Sequence, residues 1–297
     1  NKLKKKKFIY DGKIKAPKAE KETNWVERNQ MLFKSTFFGD DKDRPLQKKD
    51  KSWTYFAGDL AYHNNKIKRN YDNLINILGA DHAGYVNRLQ GAVKSISDQA
   101  QLDIILCQLV KLYRNGVPVK MSKRNNDYVT ISEVVEEVGS DAIRFMMLFR
   151  KSDAQLDFDF AKVIEKSKEN PVFYVQYAFA RISSIFQRFE DLYKKEFVKY
   201  ISKKDVNLSV LNHSQEINLI KKITYFPKLL ENVLKTKDVH KISYYLYELS
   251  SDFHSFWNLG NDNSDMKFII DNEEVTIARL LLLSSISSII IKGLDLL

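Results

Sequence analysis

Cysteine is almost absent from this chain of 297 residues, since Cys107 is the only one. One thiol cannot build a disulfide framework or a cysteine-rich zinc site, and a reducing cytoplasm fits this composition. The most apolar stretch, 277–291, contains Arg279 and four serines. It falls short of the roughly 18 uninterrupted apolar residues that a membrane span needs, so we expect a buried helix there. Residues 1–7 are basic, but no apolar segment follows them and no signal peptide is recognisable.

Acidic residues are too few to balance the basic ones. Lys and Arg number 48 against 38 Asp and Glu, which gives a formal net charge of +10. A basic surface favours polyanionic partners through electrostatic steering and counterion release. The length allows about two domains.

Three cations lie close together just after the turn-forming pair Asn115–Gly116. The run is Val119, Lys120, Met121, Ser122, Lys123, Arg124. Ammonium groups three residues apart, with a hydroxyl between them, suit a triphosphate whose charge shifts as pyrophosphate leaves. The alternative is a solvated basic loop in a lysine-rich protein. The run therefore predicts a phosphate-binding loop whose meaning depends on its flanks.

The flank before this loop has the pattern of a nucleotide fold. Ser52 is predicted to cap a helix with Tyr55 and Asp59 near one face. Residues 71–78 alternate as a strand that ends at Gly79, before a predicted helix over 85–96. Open α/β sheets bind ligands at such strand ends. Asp81 could hold ribose hydroxyls there or simply cap the helix.

Local sequence signals also predict an ordered element on each side of the lysine run. Residues 102–112 are mostly apolar and predict a buried strand or strand pair, which the Asn115–Gly116 turn would close into a hairpin. Thr130 and Glu133 match a capping box at the start of a helix over 131–138. The polar loop between these anchors can close over a ligand.

Beyond Asp141 the pattern is helical and no further strand is expected. Apolar residues at helical spacing predict mostly core positions. They are Ile217, Ile220, Ile223, Phe226, Leu230, Val233, Leu234, Tyr244, Leu246, Leu249, Phe253, Phe256 and Trp257. We expect an α-helical bundle that begins near the Asn170–Pro171 step.

Four motifs in order now point to a family. They are Tyr55–Phe56–Ala57–Gly58–Asp59–Leu60–Ala61–Tyr62–His63, Gly79–Ala80–Asp81–His82, Lys120–Met121–Ser122–Lys123–Arg124 and Asn170–Pro171–Val172–Phe173–Tyr174–Val175–Gln176–Tyr177–Ala178. Together they resemble class I arginyl-tRNA synthetases. The resemblance runs through nearly the whole chain and corresponds to the C-terminal half of such an enzyme.

The resemblance implies a Rossmann-like α/β catalytic domain, of which residues 1–168 are the C-terminal portion, followed by an all-α anticodon-binding bundle at 169–297. It implies an arginine–tRNA ligase: ATP and L-arginine form arginyl adenylate, and the arginyl group then passes to the tRNA for arginine. Mg²⁺ would accompany ATP without a tightly bound metal. It also implies a cytoplasmic protein without a membrane partner, and we expect a monomer.

By the same matching, site residues fall into four groups. Those for catalysis are Lys120, Ser122 and Lys123. Those for ATP are Gly79, Asp81 and Met121. Those for arginine are Tyr55, Asp59 and His82. Those for tRNA are Tyr174, Tyr177, Arg181 and Trp257. A carboxylate such as Asp59 suits a guanidinium, because it accepts two parallel bonds. His82 could instead be a polar residue near a turn, the three rings could be core residues, and Arg181 could be a solvated surface arginine.

One departure from the family pattern matters most. The first class I signature, a His-Ile-Gly-His-like element, does not occur in this sequence. We therefore expect this polypeptide alone to be unable to make arginyl adenylate. The alternative function is a tRNA-binding module derived from a synthetase and without catalytic activity. A cysteine-specific synthetase is disfavoured, because one cysteine cannot furnish the thiolate zinc site that such enzymes usually use.

Overall fold

The computed structural model describes residues 2–14, 28–71, 73–121, 128–201 and 205–297. Its contacts divide the chain into two compact units, residues 1–109 and 110–297. The boundary predicted at 168 and 169 lies inside the second unit, and it remains a prediction of where the helical domain begins.

The first unit contains a small antiparallel sheet and a short helix. Its elements are α1 (Lys2–Lys5), β1 (Ile9–Gly12), β2 (Gln30–Phe33) and β3 (Arg44–Pro45), with β2 in the middle of the sheet. Leu32 and Phe33 are fully buried. Phe33 packs in a core with Phe56 and Leu60 of the following helix. The sheet thereby supports the helix that carries Tyr55 and Asp59.

That helix, α2 (Tyr55–Lys68), begins as predicted but has a different cap. The Thr54 hydroxyl accepts from the Ala57 amide, and Thr54 also donates to the Pro45 carbonyl. The prediction that Ser52 caps the helix is therefore wrong. Ser52 lies in a turn where its hydroxyl donates to Asp50.

The predicted strand and helix after α2 are confirmed. The elements are β4 (Asn73–Gly79), a 3₁₀ turn (Ala80–Tyr85), α3 (Val86–Ile96) and β5 (Gln101–Cys107). β4 and β5 pair in parallel, with Gly79 opposite Cys107. Parallel strands need a crossover, which is usually a helix. This β–α–β arrangement puts Gly79 at the carboxyl end of a parallel strand.

The second unit begins with the predicted hairpin. Its strands are β6 (Val110–Arg114), β7 (Val117–Pro118) and β8 (Leu156–Asp159). Asn115 and Gly116 both have positive φ, at 50° and 77°, as a tight hairpin turn requires. Residues 102–112 do contain two strands, but β5 and β6 belong to separate sheets and do not pair with each other. The predicted burial is wrong, because Leu102 is the one buried residue of the two strands.

β8 contradicts the expectation that no strand follows Asp141. It pairs in parallel with β6, with Leu156 opposite Val110. The strand has only four residues, and its apolar residues Leu156 and Phe158 alternate with aspartates. So short a segment carries too little local signal, and its partner strand is distant in sequence.

The rest of the unit is helical, as predicted. Its helices are α4 (Ile131–Val138), α5 (Ser140–Phe149), α6 (Phe160–Ile164), α7 (Pro171–Tyr193), α8 (Phe197–Ile201), α9 (Ser214–Thr236), α10 (His240–Asp262) and α11 (Glu273–Leu296). Most of the predicted core positions pack in or against one cluster. Ile217, Leu234 and Tyr244 are exceptions, because they are more than a third exposed. These residues lie on α9 and α10 outside the apolar stripe that packs into the core.

α11 is the apolar helix predicted to be buried. Among the described residues it is the one helix long and apolar enough to cross a membrane, and 56% of its most apolar window is buried inside the bundle. Its Arg279 forms a buried ion pair with Glu216 of α9. Both observations support its interpretation as a core helix.

Candidate functional site

Asp59 lies on the half-buried face of α2. Burial raises the pKa of its carboxyl, and electrostatic interactions with His63, Arg88 and His82 offset part of that rise. Asp59 and His82 therefore lie within electrostatic range of each other, and their shared role in an arginine pocket stays a prediction. Tyr55 lies one helical turn before Asp59 and is 87% exposed, with the Lys48 ammonium 5.9 Å from its ring centre. The result is a desolvated carboxylate beside an open aromatic ring.

At the end of β4, only glycine fits at position 79 without the displacement of a neighbouring side chain. A Cβ atom on Gly79 would lie 2.4 Å from Oδ1 of Asp81, so any larger residue would displace that carboxylate. Asp81 does not cap a helix: the 3₁₀ turn begins after Gly79 without a side-chain cap, and α3 is preceded by Tyr85. Its exposed carboxylate lies 3.6 Å from Nε2 of His82. The helix-cap alternative for Asp81 is therefore wrong.

A buried polar chain joins α2 to β4, and the sequence analysis missed it. His63 is 2% exposed; its Nδ1 lies 2.8 Å from the Asp59 carbonyl and its Nε2 lies 2.9 Å from the Asn76 amide. A carbonyl only accepts, so Nδ1 carries the proton and Nε2 accepts. Lys66 in turn donates to Oδ1 of Asn76 at 2.7 Å. This chain fixes the turn of α2 that carries Asp59 relative to the strand that ends at Gly79.

A second cluster holds Arg88, one of the cations that face Asp59. Its guanidinium carbon lies 4.1 Å from the centre of the Tyr85 ring, and its Nε lies 3.3 Å from Asp40. Burial works to raise the pKa of Asp40, but hydrogen bonds, above all from Arg44, hold that pKa well below its usual value. Asp40 therefore stays ionised and keeps Arg88 in place.

The lysine run is held at its start by the hairpin. The Val119 amide donates to the Leu112 carbonyl at 2.9 Å. Asp159, the last residue of β8, accepts from the Gly116 amide at 2.7 Å and from the Ala161 amide at 3.1 Å. A buried carboxylate thus fixes the turn that precedes the lysines.

The predicted capping box is found beyond residues 122–127, which lie outside the described part of the chain. Thr130 accepts from the Glu133 amide, and Glu133 accepts from the Thr130 amide. Between the two anchors, Lys120 and Met121 are exposed. Ser122 and Lys123 lie outside the described residues, so their predicted roles stay predictions.

The four residues predicted to bind tRNA form one cluster between α7 and α10. The Arg181 guanidinium carbon lies 4.2 Å from the centre of the Tyr177 ring and 5.0 Å from that of Trp257. Tyr174 contacts the same cluster through His254, at a ring-centre distance of 4.4 Å. Tyr177 is 38% exposed and Trp257 is half-buried. Arg181 is therefore stacked on rings and is not a freely solvated arginine.

His254 contacts both Arg181 and Tyr174 in this cluster, and it was not predicted from the sequence. It is 3% exposed, and its Nδ1 lies 3.0 Å from the Arg181 guanidinium, which only donates. Nδ1 must therefore accept, and Nε2 carries the proton toward the Tyr174 carbonyl at 3.3 Å. Burial lowers the pKa of His254, and the Arg181 charge lowers it further, although the bond to Tyr174 works the other way. The neutral form fits both contacts.

Similarity to curated proteins covers the whole chain. An arginine–tRNA ligase from Pelagibacter ubique is 52% identical over 99% of this chain and 50% of its own length. One from Roseobacter denitrificans is 50% identical over 99% of this chain and 51% of its own length. The chain is therefore similar to arginyl-tRNA synthetases over nearly its whole length. It spans about half the length of the curated relatives it matches.

Solved structures of arginyl-tRNA synthetases confirm the predicted fold class. The Campylobacter jejuni structure matches with a TM-score of 0.79 at 32% identity, over 99% of this chain and 58% of that one. The Thermus thermophilus structure matches in fold with a TM-score of 0.66 at 16% identity, over 99% of this chain and 55% of that one. The fold is thus a Rossmann-like catalytic portion followed by a helical bundle.

A family model matches most of the helical part of the chain. The model described as the DALR anticodon binding domain matches residues 175–297. This range begins inside α7 and contains Tyr177, Arg181, His254 and Trp257. It includes three of the four residues that the synthetase resemblance assigned to tRNA, but not Tyr174.

Two histidines would have been hard to find from sequence. His63 and His254 both lie inside helices, where a lone histidine gives no local sign of the polar partners that it meets in the fold. Their partners Asn76 and Arg181 lie 13 and 73 residues away in the chain. The weak local signal was that both rings lie about one helical turn from predicted site residues, Asp59 and Trp257.

Proposed function

We propose that the protein to which this chain belongs is an arginine–tRNA ligase, which activates L-arginine with ATP and transfers it to the tRNA for arginine. The observation that carries this proposal is the 52% identity over 99% of the chain with a curated arginine–tRNA ligase. Because the chain spans half of that relative, the proposed activity is that of the whole protein. The residues of this chain would supply one side of the adenylation site and the surface for the anticodon.

Asp59 is the proposed anchor of the arginine side chain. Its half-buried position and raised pKa mark a carboxylate that lacks a full partner. A guanidinium would provide one, because it donates two parallel hydrogen bonds that lysine cannot copy. Tyr55 and His82 would line the same pocket.

The proposed ATP contacts come from the end of β4 and from the lysine run itself. Gly79 would allow the nucleotide to approach the backbone, and Asp81 offers an exposed carboxylate to ribose hydroxyls. Lys120 and Lys123 would neutralise the phosphates, with Ser122 as a hydrogen-bond donor and Met121 beside the nucleotide. These roles rest on the family match and on the fixed hairpin before the run.

Mg²⁺ would arrive with the ATP phosphates. In the part of the chain that the structure describes, no group of three His, Cys, Asp or Glu side chains could hold a metal ion. Lys120 and Lys123 carry the charge that would act beside such an ion.

The bundle is the proposed anticodon-binding surface. Tyr174, Tyr177 and Trp257 present rings on which unstacked bases can stack, and Arg181 adds a cation held against two of them. Replacement of Trp257 by Ala should weaken tRNA binding without loss of the cooperative thermal transition. Loss of that transition would assign Trp257 to the core instead.

The experiment that tests the proposed function is ATP–pyrophosphate exchange. The complete protein should exchange with L-arginine and its tRNA, and not with L-lysine. The 297-residue chain alone should show no exchange above background but should retain tRNA binding. Exchange that is equally fast with L-lysine, or none by the complete protein, would contradict the ligase proposal. The latter result together with tRNA binding would favour the module without catalysis.

Location and assembly belong to the same proposal. We infer a cytoplasmic protein without a membrane partner that acts as a monomer. Light scattering on the complete protein checks the monomer, with a mass of two chains as the contradicting result.

A further inference from the structure

One exposed phenyl ring of the first unit is not among the residues assigned so far. Phe37 is 72% exposed, yet it is not loose. Its ring centre lies 5.6 Å from that of Phe8 and 5.0 Å from that of Phe38. A side chain at Gly91 of α3 would lie 2.6 Å from Cβ of Phe38, so the segment is seated closely on that helix. Phe37 is therefore a rigid, accessible aromatic face.

Two lysines, Lys6 and Lys94, line the same cavity as this ring, and more lysines lie next to Lys6 in the chain. Five of the six residues from 2 to 7 are lysines, all exposed, and Lys94 of α3 is exposed beside them. Lys6 donates to the Ser95 carbonyl at 3.1 Å, which ties the basic segment to α3. Among the described residues, none of these lysines forms an ion pair with a carboxylate. We call Lys2, Lys4, Lys5, Lys6, Lys7, Phe8, Phe37, Phe38 and Lys94 the Lys–Phe patch.

The patch contains an open cavity of about 460 Å³. Its lining residues are Lys6, Phe8, Phe37, Phe38, Lys94 and Asp98. Cations therefore flank an aromatic wall, and Asp98 is the single acidic residue of this lining.

We propose that the Lys–Phe patch binds single-stranded RNA, with a base stacked on Phe37 and the backbone phosphates on the lysines. Cationic grooves that track phosphates, combined with rings on which bases stack, are how proteins hold single strands. The proposal does not depend on ligase activity or on the anticodon surface of the bundle, because every residue of the patch lies in the first unit.

An anionic membrane is the competing ligand for a basic surface with an exposed apolar ring. Interfacial membrane binding uses a helix with an extended apolar face. α1 has four residues, and only Leu3 among them is apolar. A single rigid ring beside a cavity fits one base better than it fits a lipid surface.

Crosslinking locates the contact directly. The 297-residue chain is irradiated with a single-stranded RNA of about 12 nucleotides, within the usual footprint of such sites, that carries 5-iodouridine. We expect a crosslinked peptide that contains Phe37, and we expect the same peptide in the Trp257→Ala variant, whose bundle surface is impaired. Crosslinks confined to the bundle would overturn the proposal.

Affinity provides the second measurement. Phe37→Ala should weaken binding in the Trp257→Ala background by about 5- to 150-fold, the range for loss of one stacked base. Phe37→Leu stays apolar but loses the aromatic face and should weaken binding nearly as much. Lys5→Ala with Lys94→Ala should flatten the dependence of log affinity on log salt by up to about 1.4, whereas Lys49→Ala with Lys68→Ala serves as the matched exposed control.

Two results would overturn the assignment. One is equal RNA affinity of Phe37→Ala and the parent. The other is loss of binding to phosphatidylserine vesicles in Phe37→Ala with RNA affinity unchanged, which would identify a membrane site. Unchanged thermal unfolding of each variant establishes that the comparison concerns binding.

Discussion

The ion pair between Arg279 and Glu216 supports a sharp prediction about the bundle. Their side chains are 6% and 1% exposed, and Nε of Arg279 lies 2.7 Å from Oε1 of Glu216. The same guanidinium donates to the Asp265 and Lys267 carbonyls, both at 2.6 Å. Arg279 thus ties α9 and α11 to the turn before Phe268.

Arg279→Met removes one charge and leaves the other buried. A buried pair broken in this way typically costs about 3–5 kcal/mol, because the remaining ion has neither water nor a partner. The two carbonyls that lose their donor place the expected cost toward the upper end. Arg279→Met with Glu216→Gln should be less destabilised than Arg279→Met alone. The double variant leaves no unpaired charge, and the oxygen of the introduced amide can still accept from the His213 amide, as the carboxylate of Glu216 does.

Urea unfolding followed by far-UV circular dichroism measures both variants against the parent chain. The double variant should regain about 2 kcal/mol or more of the loss in the single variant. A cost below about 1 kcal/mol for Arg279→Met would mean that the ion is hydrated. A double variant no more stable than the single one would show that the unpaired carboxylate is not the cause.

Three further predictions concern the sites. Arg181→Lys keeps the charge but loses the planar stack on two rings, and each stack is worth about 0.5–1 kcal/mol. In filter binding, tRNA affinity should therefore fall several-fold, while the slope of log affinity against log salt concentration stays the same. A changed slope would contradict this prediction. The pKa of His254 in the folded state lies below its ordinary value of 6.5. Its contribution to stability is therefore complete above pH 6.5 and is lost as the pH falls below that value. Thermal unfolding should show this loss in the parent chain and not in His254→Gln, and the same pH dependence in both chains would refute the prediction. Asp159→Ala removes the acceptor of both the Gly116 and the Ala161 amides, so hydrogen exchange at Gly116 should accelerate, and unchanged exchange would show that Asp159 does not hold the hairpin.

Signals that lie within a few residues of each other were predictable from sequence. The Asn115–Gly116 turn and the Thr130–Glu133 capping box depend on local backbone chemistry, and both are found where they were predicted. The strand that ends at Gly79 was also predictable, because exposed and less exposed residues alternate along 73–78.

Features that depend on distant partners were not predictable. β8 exists because β6 is available to pair with it, and nothing in its four residues indicates that partner. His63 and His254 are sites only because Asn76 and Arg181 meet them in the fold. The choice of Thr54 over Ser52 as the cap of α2 depends likewise on the Pro45 carbonyl, which holds the Thr54 hydroxyl in place.

The central claim is that the Asp59 carboxylate binds the guanidinium of the substrate arginine. Its decisive measurement is the KM for arginine and for ATP in the complete protein with Asp59→Ala and with Asp59→Asn. We predict that the KM for arginine rises far more than that for ATP in both. In the parent, arginine affinity should fall as pH drops through the raised pKa of Asp59, and Asp59→Asn should lose this dependence. Equal changes in the two KM values would contradict the claim.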